Sequence, residues 1–149
     1  MTRKLQHTVT ALSATATVFT LLLLAGGPPQ PPLPAASLAL TAEAAVPAEA
    51  WARHPNNIPG NSALRLITVG GTENDDVAGA MAPTEHLKAS PYLQQVLSHF
   101  GVVWSRSRLM KLGPGATVPA HTDVNYHWFH RVRLHIPVVT TPDVKFFCD

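Results

Sequence analysis

Arg131-Val132-Arg133-Leu134-His135-Ile136-Pro137-Val138 alternates cationic or imidazole side chains with apolar ones as far as Ile136. In an extended strand, successive side chains point to opposite faces. Arg131, Arg133 and His135 therefore share one face, and Val132, Leu134, Ile136 and Val138 share the other. The apolar face belongs in a core. The cationic face needs either water or an anionic partner, because unpaired buried cations are costly. A planar guanidinium can grip a carboxylate with two parallel hydrogen bonds, so this face suits a dicarboxylate. A hydrated outer face is the plain alternative.

Working upstream, His121-Thr122-Asp123 is an H-x-D. Residues two apart in extended backbone project to the same side, so the His121 imidazole and the Asp123 carboxylate can converge on one ion. One neutral nitrogen and one hard oxygen suit Fe(II), and a second histidine from elsewhere would complete a facial triad. Before the motif, Gly113-Pro114-Gly115 marks a turn, Val102 to Leu112 is a long strand candidate and Ala116 to Ala120 a short one. Beyond Val139, Thr140-Thr141-Pro142-Asp143 is a turn and Val144 to Phe147 the start of a strand. Farther upstream, Ser90, Pro91 and Gly101 are suited to the N-cap, the first helical position and C′ of a helix over Pro91 to Phe100. Its residues Tyr92, Leu93, Val96, Leu97 and Phe100 share one face, the spacing of core packing. Leu64 to Val69 is a further strand candidate, and Gly70 to Gly79 an exposed loop in which Asp75-Asp76 reads as solvated. One helix and several short strands divided by Gly/Pro turns predict a mainly β (α+β) chain built as a sandwich or jelly roll.

The run Arg108-Leu109-Met110-Lys111-Leu112-Gly113-Pro114-Gly115-Ala116, then His121-Thr122-Asp123, then Arg133-Leu134-His135-Ile136-Pro137 resembles the aspartyl/asparaginyl β-hydroxylase family of 2-oxoglutarate- and Fe(II)-dependent dioxygenases. Pro59-Gly60-Asn61-Ser62-Ala63-Leu64 resembles bacterial members, and the likeness spans Trp51 to Phe147. It implies a double-stranded β-helix (jelly roll) with at least one flanking helix. It further implies His121 as first iron ligand, and Arg133 and His135 as contacts to 2-oxoglutarate. Some members carry glycine where this chain has Asp123; here the carboxylate is present and is assigned as a ligand. The family's serine contact to the cosubstrate has no counterpart, since Met110 and Lys111 occupy that region. The second iron-binding histidine and the arginine for the far carboxylate would fall beyond Asp149, so the expectation is an enzyme domain incomplete as given. The substrate class implied is an Asp/Asn-type side chain, in a peptide or a related amino-acid-like molecule.

Composition bounds the remainder. A net charge of +2 gives no case for nucleic acid, and a single cysteine, Cys148, excludes an internal disulfide framework. Cys148 reads as a small core residue, and Trp51 and Trp104 as core aromatics. Four of the eight histidines (His121, His127, His130, His135) fall within fifteen residues; His127 and His130 read as substrate-mouth or surface loop residues. His54, His86 and His99 lack partners at metal-ligand spacing. Arg3-Lys4, then an apolar Ala11 to Gly27 with Leu21 to Leu24 at its centre, fit a secretory signal or membrane anchor, which would make the chain exported; family resemblance favours the cytoplasm. Six prolines between Pro28 and Pro47 give a linker, so 1–47 is expected to stand outside a domain at 48–149. Three rival functions stay open: a non-catalytic fragment, a jelly-roll module binding a different metal or an anion, and an exported structural β-protein.

Overall fold

The computed structural model describes residues 6–11, 16–24, 46–53, 57–122 and 131–148. The chain is mainly β, with every pairing antiparallel. In order, the strands are β1 (Gln6–Ala11), β2 (Ala16–Leu24), β3 (Ala52–Arg53), β4 (Asn61–Val69), β5 (Met81–Pro83), β6 (Val103–Trp104), β7 (Ser107–Leu112), β8 (Thr117–Thr122), β9 (Val132–Val139) and β10 (Val144–Cys148). A 3₁₀ turn (Ala48–Ala50) precedes β3, and helices α1 (Glu85–Lys88) and α2 (Pro91–His99) lie between β5 and β6.

The larger sheet runs β3-β4-β7-β2, with β5 beside β4 and both β6 and β9 beside β2. The smaller sheet is β10-β1-β8. One face of the larger sheet carries Leu64, Leu66 and Leu109, all fully buried, and packs on Leu87, Leu93, Val96 and Leu97 of the two helices. Leu134, Ile136 and Val138 of β9 join that core, as their alternation predicts. Val132 does not: at the first position of β9 it is 64% exposed. The opposite face meets the smaller sheet, where Leu112 packs with Ala116, Val118 and Val144.

Helix α2 follows its sequence signals closely. Pro91 occupies its first turn, and Gly101 takes the positive φ of 58° that ends it. The Ser90 hydroxyl makes no cap hydrogen bond; its backbone carbonyl accepts from Gln94 N at 3.1 Å. α1 has no sequence periodicity to announce it, being one turn long. It is held by Thr84, whose hydroxyl accepts from Leu87 N and donates to the Arg65 carbonyl at 2.8 Å, fastening the turn to β4.

The long strand expected over Val102 to Leu112 is two strands, broken at Ser105-Arg106. Ser107 Oγ donates to the Ser105 carbonyl at 3.0 Å, a local bond that competes with a continuous ladder. The turn after β7 is fixed by Gly60, whose carbonyl accepts from Gly113 N at 2.8 Å. A Cβ at Gly60 would lie 2.6 Å from that of Ala116, and its φ of 73° disfavours other residues.

Two segments of 1–47, expected to stand apart, are strands here. β2 lies between β7 and β9, with Thr20 opposite both Arg108 and His135. A short apolar run rich in Thr, Val, Phe and Leu serves a sheet strand as well as an export signal, and periodicity does not separate the two. The Pro/Ala-rich stretch 28–45 lies outside the described residues. No described helix is long and apolar enough to cross a membrane.

Candidate functional site

Register places the polar residues of the larger sheet in one row. Arg65 of β4 pairs with Arg108 of β7, Arg108 with Thr20 of β2, and Thr20 with His135 of β9. Directly paired residues project to the same side. Arg65, Arg108 and His135 therefore share the face opposite the helical core, and Arg133 lies on it two residues farther along β9. Three strand spacings separate Arg65 from His135, on the order of 14 Å.

The loop at 70–80 closes one side of this row. Arg65 donates to both oxygens of Asp75, at 3.2 Å from Nε, and reaches Glu73 at 3.2 Å. Arg106 donates to the Asp75 carbonyl at 2.8 Å, and Arg131 to the Val77 carbonyl at 3.3 Å. Asn74 ties the loop to itself, donating to the Val69 carbonyl and accepting from Asp76 N. Asp75 is thus an ion-pair partner and not the solvated loop residue that composition predicts. The hydrogen bonds from Arg65 and the charges of Arg65, Arg108 and Arg106 hold its carboxyl below the ordinary carboxylate range.

Arg108 is the cation at the centre. It keeps some exposed surface, yet its guanidinium is largely withdrawn from water. Desolvation first, then the charges of Arg106, Arg133 and Arg65, bring its pKa down to about 10, with Asp75 acting in its favour among the described residues.

The other wall is the smaller sheet. The Phe146 ring of β10 lies 5.2 Å from the His135 ring, tilted by 48°. His121 of β8 pairs with His7 of β1, and His7 with Cys148 of β10. Phe146, two residues from Cys148, falls on the same side of that sheet. His121 is exposed on β8, two strand spacings from β10 in that sheet, roughly 10 Å. His121 Nδ1 lies 2.9 Å from the Pro119 carbonyl. A carbonyl only accepts, so Nδ1 is the donor in this contact, which orients the ring on β8.

Arg133 and His135 are therefore brought together on one strand, with His121 on the facing sheet. Asp123, His127 and His130 lie outside the described residues, as does His54. Among the described residues, no three His, Cys, Asp or Glu side chains form a metal-holding group. The donor chemistry suits an anionic cosubstrate well; for iron, the described part supplies His121 of the predicted ligands. His99 stacks edge-on against Phe100, and His86 Nε2 lies 3.8 Å from Glu73. Trp104 packs on the helical core with its indole N–H on the Leu97 carbonyl, and the half-buried Trp51 lies beneath the Lys111 ammonium.

Arg65, Arg106, Arg108 and Asp75 are members of this layer that the sequence reading did not single out. A signal was present: Arg106-Ser107-Arg108 repeats the two-residue alternation of Arg131-Val132-Arg133. The partner of Asp75 had none, because the Arg65 pairing depends on how the loop folds back. No family model, no curated protein and no solved structure matches this chain.

Proposed function

We propose that this chain contributes the iron- and 2-oxoglutarate-binding face of a hydroxylase similar to the aspartyl/asparaginyl β-hydroxylases, its two sheets forming part of a jelly roll. The observation that carries the reading is the cationic layer of Arg108, Arg133 and His135, turned toward the sheet that bears His121. The order of motifs along the chain supports it independently.

In this reading Arg133 grips a carboxylate of 2-oxoglutarate and His135 lies beside it. His121 offers Nε2 to Fe(II), and the Asp123 carboxylate is assigned as its companion. Bound iron supplies the redox chemistry, in which oxygen and 2-oxoglutarate are converted to carbon dioxide and succinate as a substrate C–H bond gains a hydroxyl group. The protein's part is to orient and to exclude water. Phe146 covers His135, and the helical core backs β9. Substrate is an Asp/Asn-type side chain or a related amino-acid-like molecule.

Anaerobic titration of the chain with Fe(II) in the presence of 2-oxoglutarate tests this directly. A weak visible charge-transfer band, lost in His121→Ala, is the expected result, followed by oxygen-dependent succinate release. One observation favours a second reading, an anion-binding module without catalysis: the arginine layer is prepared, while three metal donors are not gathered among the described residues. Binding of 2-oxoglutarate with the same affinity with and without Fe(II), and no succinate, would select it.

A further inference from the structure

Five arginines line or border one face, and three of them are committed to the loop at 70–80. Arg65 holds Asp75 and Glu73, Arg106 holds the Asp75 carbonyl, and Arg131 holds the Val77 carbonyl. Arg133 belongs to the proposed cosubstrate site. Arg108 is the member that the loop does not use, although it sits at the centre of the row, opposite Arg65 and one strand from Thr20.

Like charges directly opposite one another on a sheet are destabilising. The arrangement nevertheless sets the charges of Arg65, Arg106 and Arg133 against that of Arg108, with Asp75 the carboxylate favouring it among the described residues. Asp75 already gives both oxygens to Arg65. A largely desolvated cation in such surroundings is a position for an anion from outside the chain. Arg108 is two strand spacings from His135, about 10 Å, too far for one small carboxylate to serve both ends of the row.

We infer that Arg108, flanked by Arg65 and Arg106, forms a second anion site beside the Arg133–His135 site, and that it takes the carboxylate of the primary substrate. The substrate is then an acidic, amino-acid-like molecule or side chain and not a neutral amide. That the carboxylate belongs to a substrate rests on the hydroxylase reading; the anion site as such does not.

The test is calorimetric titration of the full chain with N-acetyl-L-aspartate and, separately, with 2-oxoglutarate, each repeated with the other at saturation. Both bind together in the expected result. Arg108→Gln weakens N-acetyl-L-aspartate at least tenfold and changes 2-oxoglutarate by less than threefold; Arg133→Gln does the reverse. Arg108→Lys keeps the charge without the fork and falls between the wild type and Arg108→Gln. Failure of N-acetyl-L-aspartate to bind the wild type overturns the inference, as does mutual competition or an equal loss of both ligands in Arg108→Gln. Arg108-dependent binding of N-acetyl-L-aspartate with no 2-oxoglutarate binding would leave the anion site standing and remove the hydroxylase reading. Far-UV circular dichroism of each variant, matched to the wild type, excludes loss of fold as the cause.

Discussion

Replacing Asp75 with asparagine keeps the shape of the loop and removes its charge. The Asp75 and Arg65 side chains are 29% and 14% exposed, so their pair is neither a surface bridge nor a fully buried one. Exposed pairs contribute at most about 1 kcal/mol, and breaking buried ones costs about 3–5 kcal/mol. Two-pronged geometry raises the value and partial exposure lowers it, so Asp75→Asn should destabilise by about 2 kcal/mol at pH 7. The loss has a second source, because Asp75 is the carboxylate that offsets the Arg108 charge. The pH dependence separates electrostatics from packing. The folded Asp75 pKa is depressed, so its contribution is fully present above the unfolded value, about 3.9, and disappears as pH falls through the lower folded value. Urea unfolding of wild type and variant from pH 7 down to pH 2.5 should therefore show the two curves converging below about pH 4. A gap of undiminished size at the acidic end would refute the charge argument and assign the loss to loop packing. Arg108→Gln placed in the Asp75→Asn background should recover part of the loss, since it removes the cation left exposed to its neighbours.

Three further outcomes follow from the same geometry. Leu66→Ala empties a fully buried position between β4 and the helices and should cost about 3 kcal/mol in urea unfolding. Thr84→Ala removes both the cap of α1 and the bond to the Arg65 carbonyl; about 1–2 kcal/mol should be lost, with faster hydrogen exchange at Leu87 and Lys88. Arg108→Met should raise stability by about 1 kcal/mol at pH 7, because the folded pKa of this base lies below its unfolded value and the charged form is disfavoured by folding at any pH below about 10. A destabilised Arg108→Met would mean that the chain itself already satisfies this guanidinium.

The sequence discloses those parts of the structure that depend on local period and local turn chemistry. β9 is legible because Leu134, Ile136 and Val138 alternate with cations, and α2 because Pro91 and Gly101 bracket an apolar stripe. What stays hidden depends on partners distant in the chain. The place of β2 between β7 and β9 is not legible, since an apolar run carries no mark of which strands will flank it. The break at Ser105-Arg106 is equally silent, being set by one serine hydroxyl choosing a nearby carbonyl over the ladder. At the site, Arg133 and His135 are visible through their alternation. The arginines that complete the layer become visible only when β4 and β7 align Arg65 with Arg108.

That alignment bears on why the layer exists. A sheet face whose role was packing would place apolar or neutral residues at Arg65 and Arg108, as the reverse face does with Leu64 and Leu109, the pair immediately beside them in the same register. Instead, two cations face each other across β4 and β7, and a loop must supply a carboxylate to hold one of them. Stability is forgone at this row, and sites that give up stability in favour of unbalanced charge are commonly those that bind charge. If so, an anionic ligand should return what the empty layer lacks. Saturating N-acetyl-L-aspartate should raise the unfolding midpoint of the wild type by several degrees, an effect absent from Arg108→Met, whose unliganded midpoint is already higher. Equal ligand-induced shifts in the two proteins would place the anion elsewhere and leave the opposed arginines without a functional account.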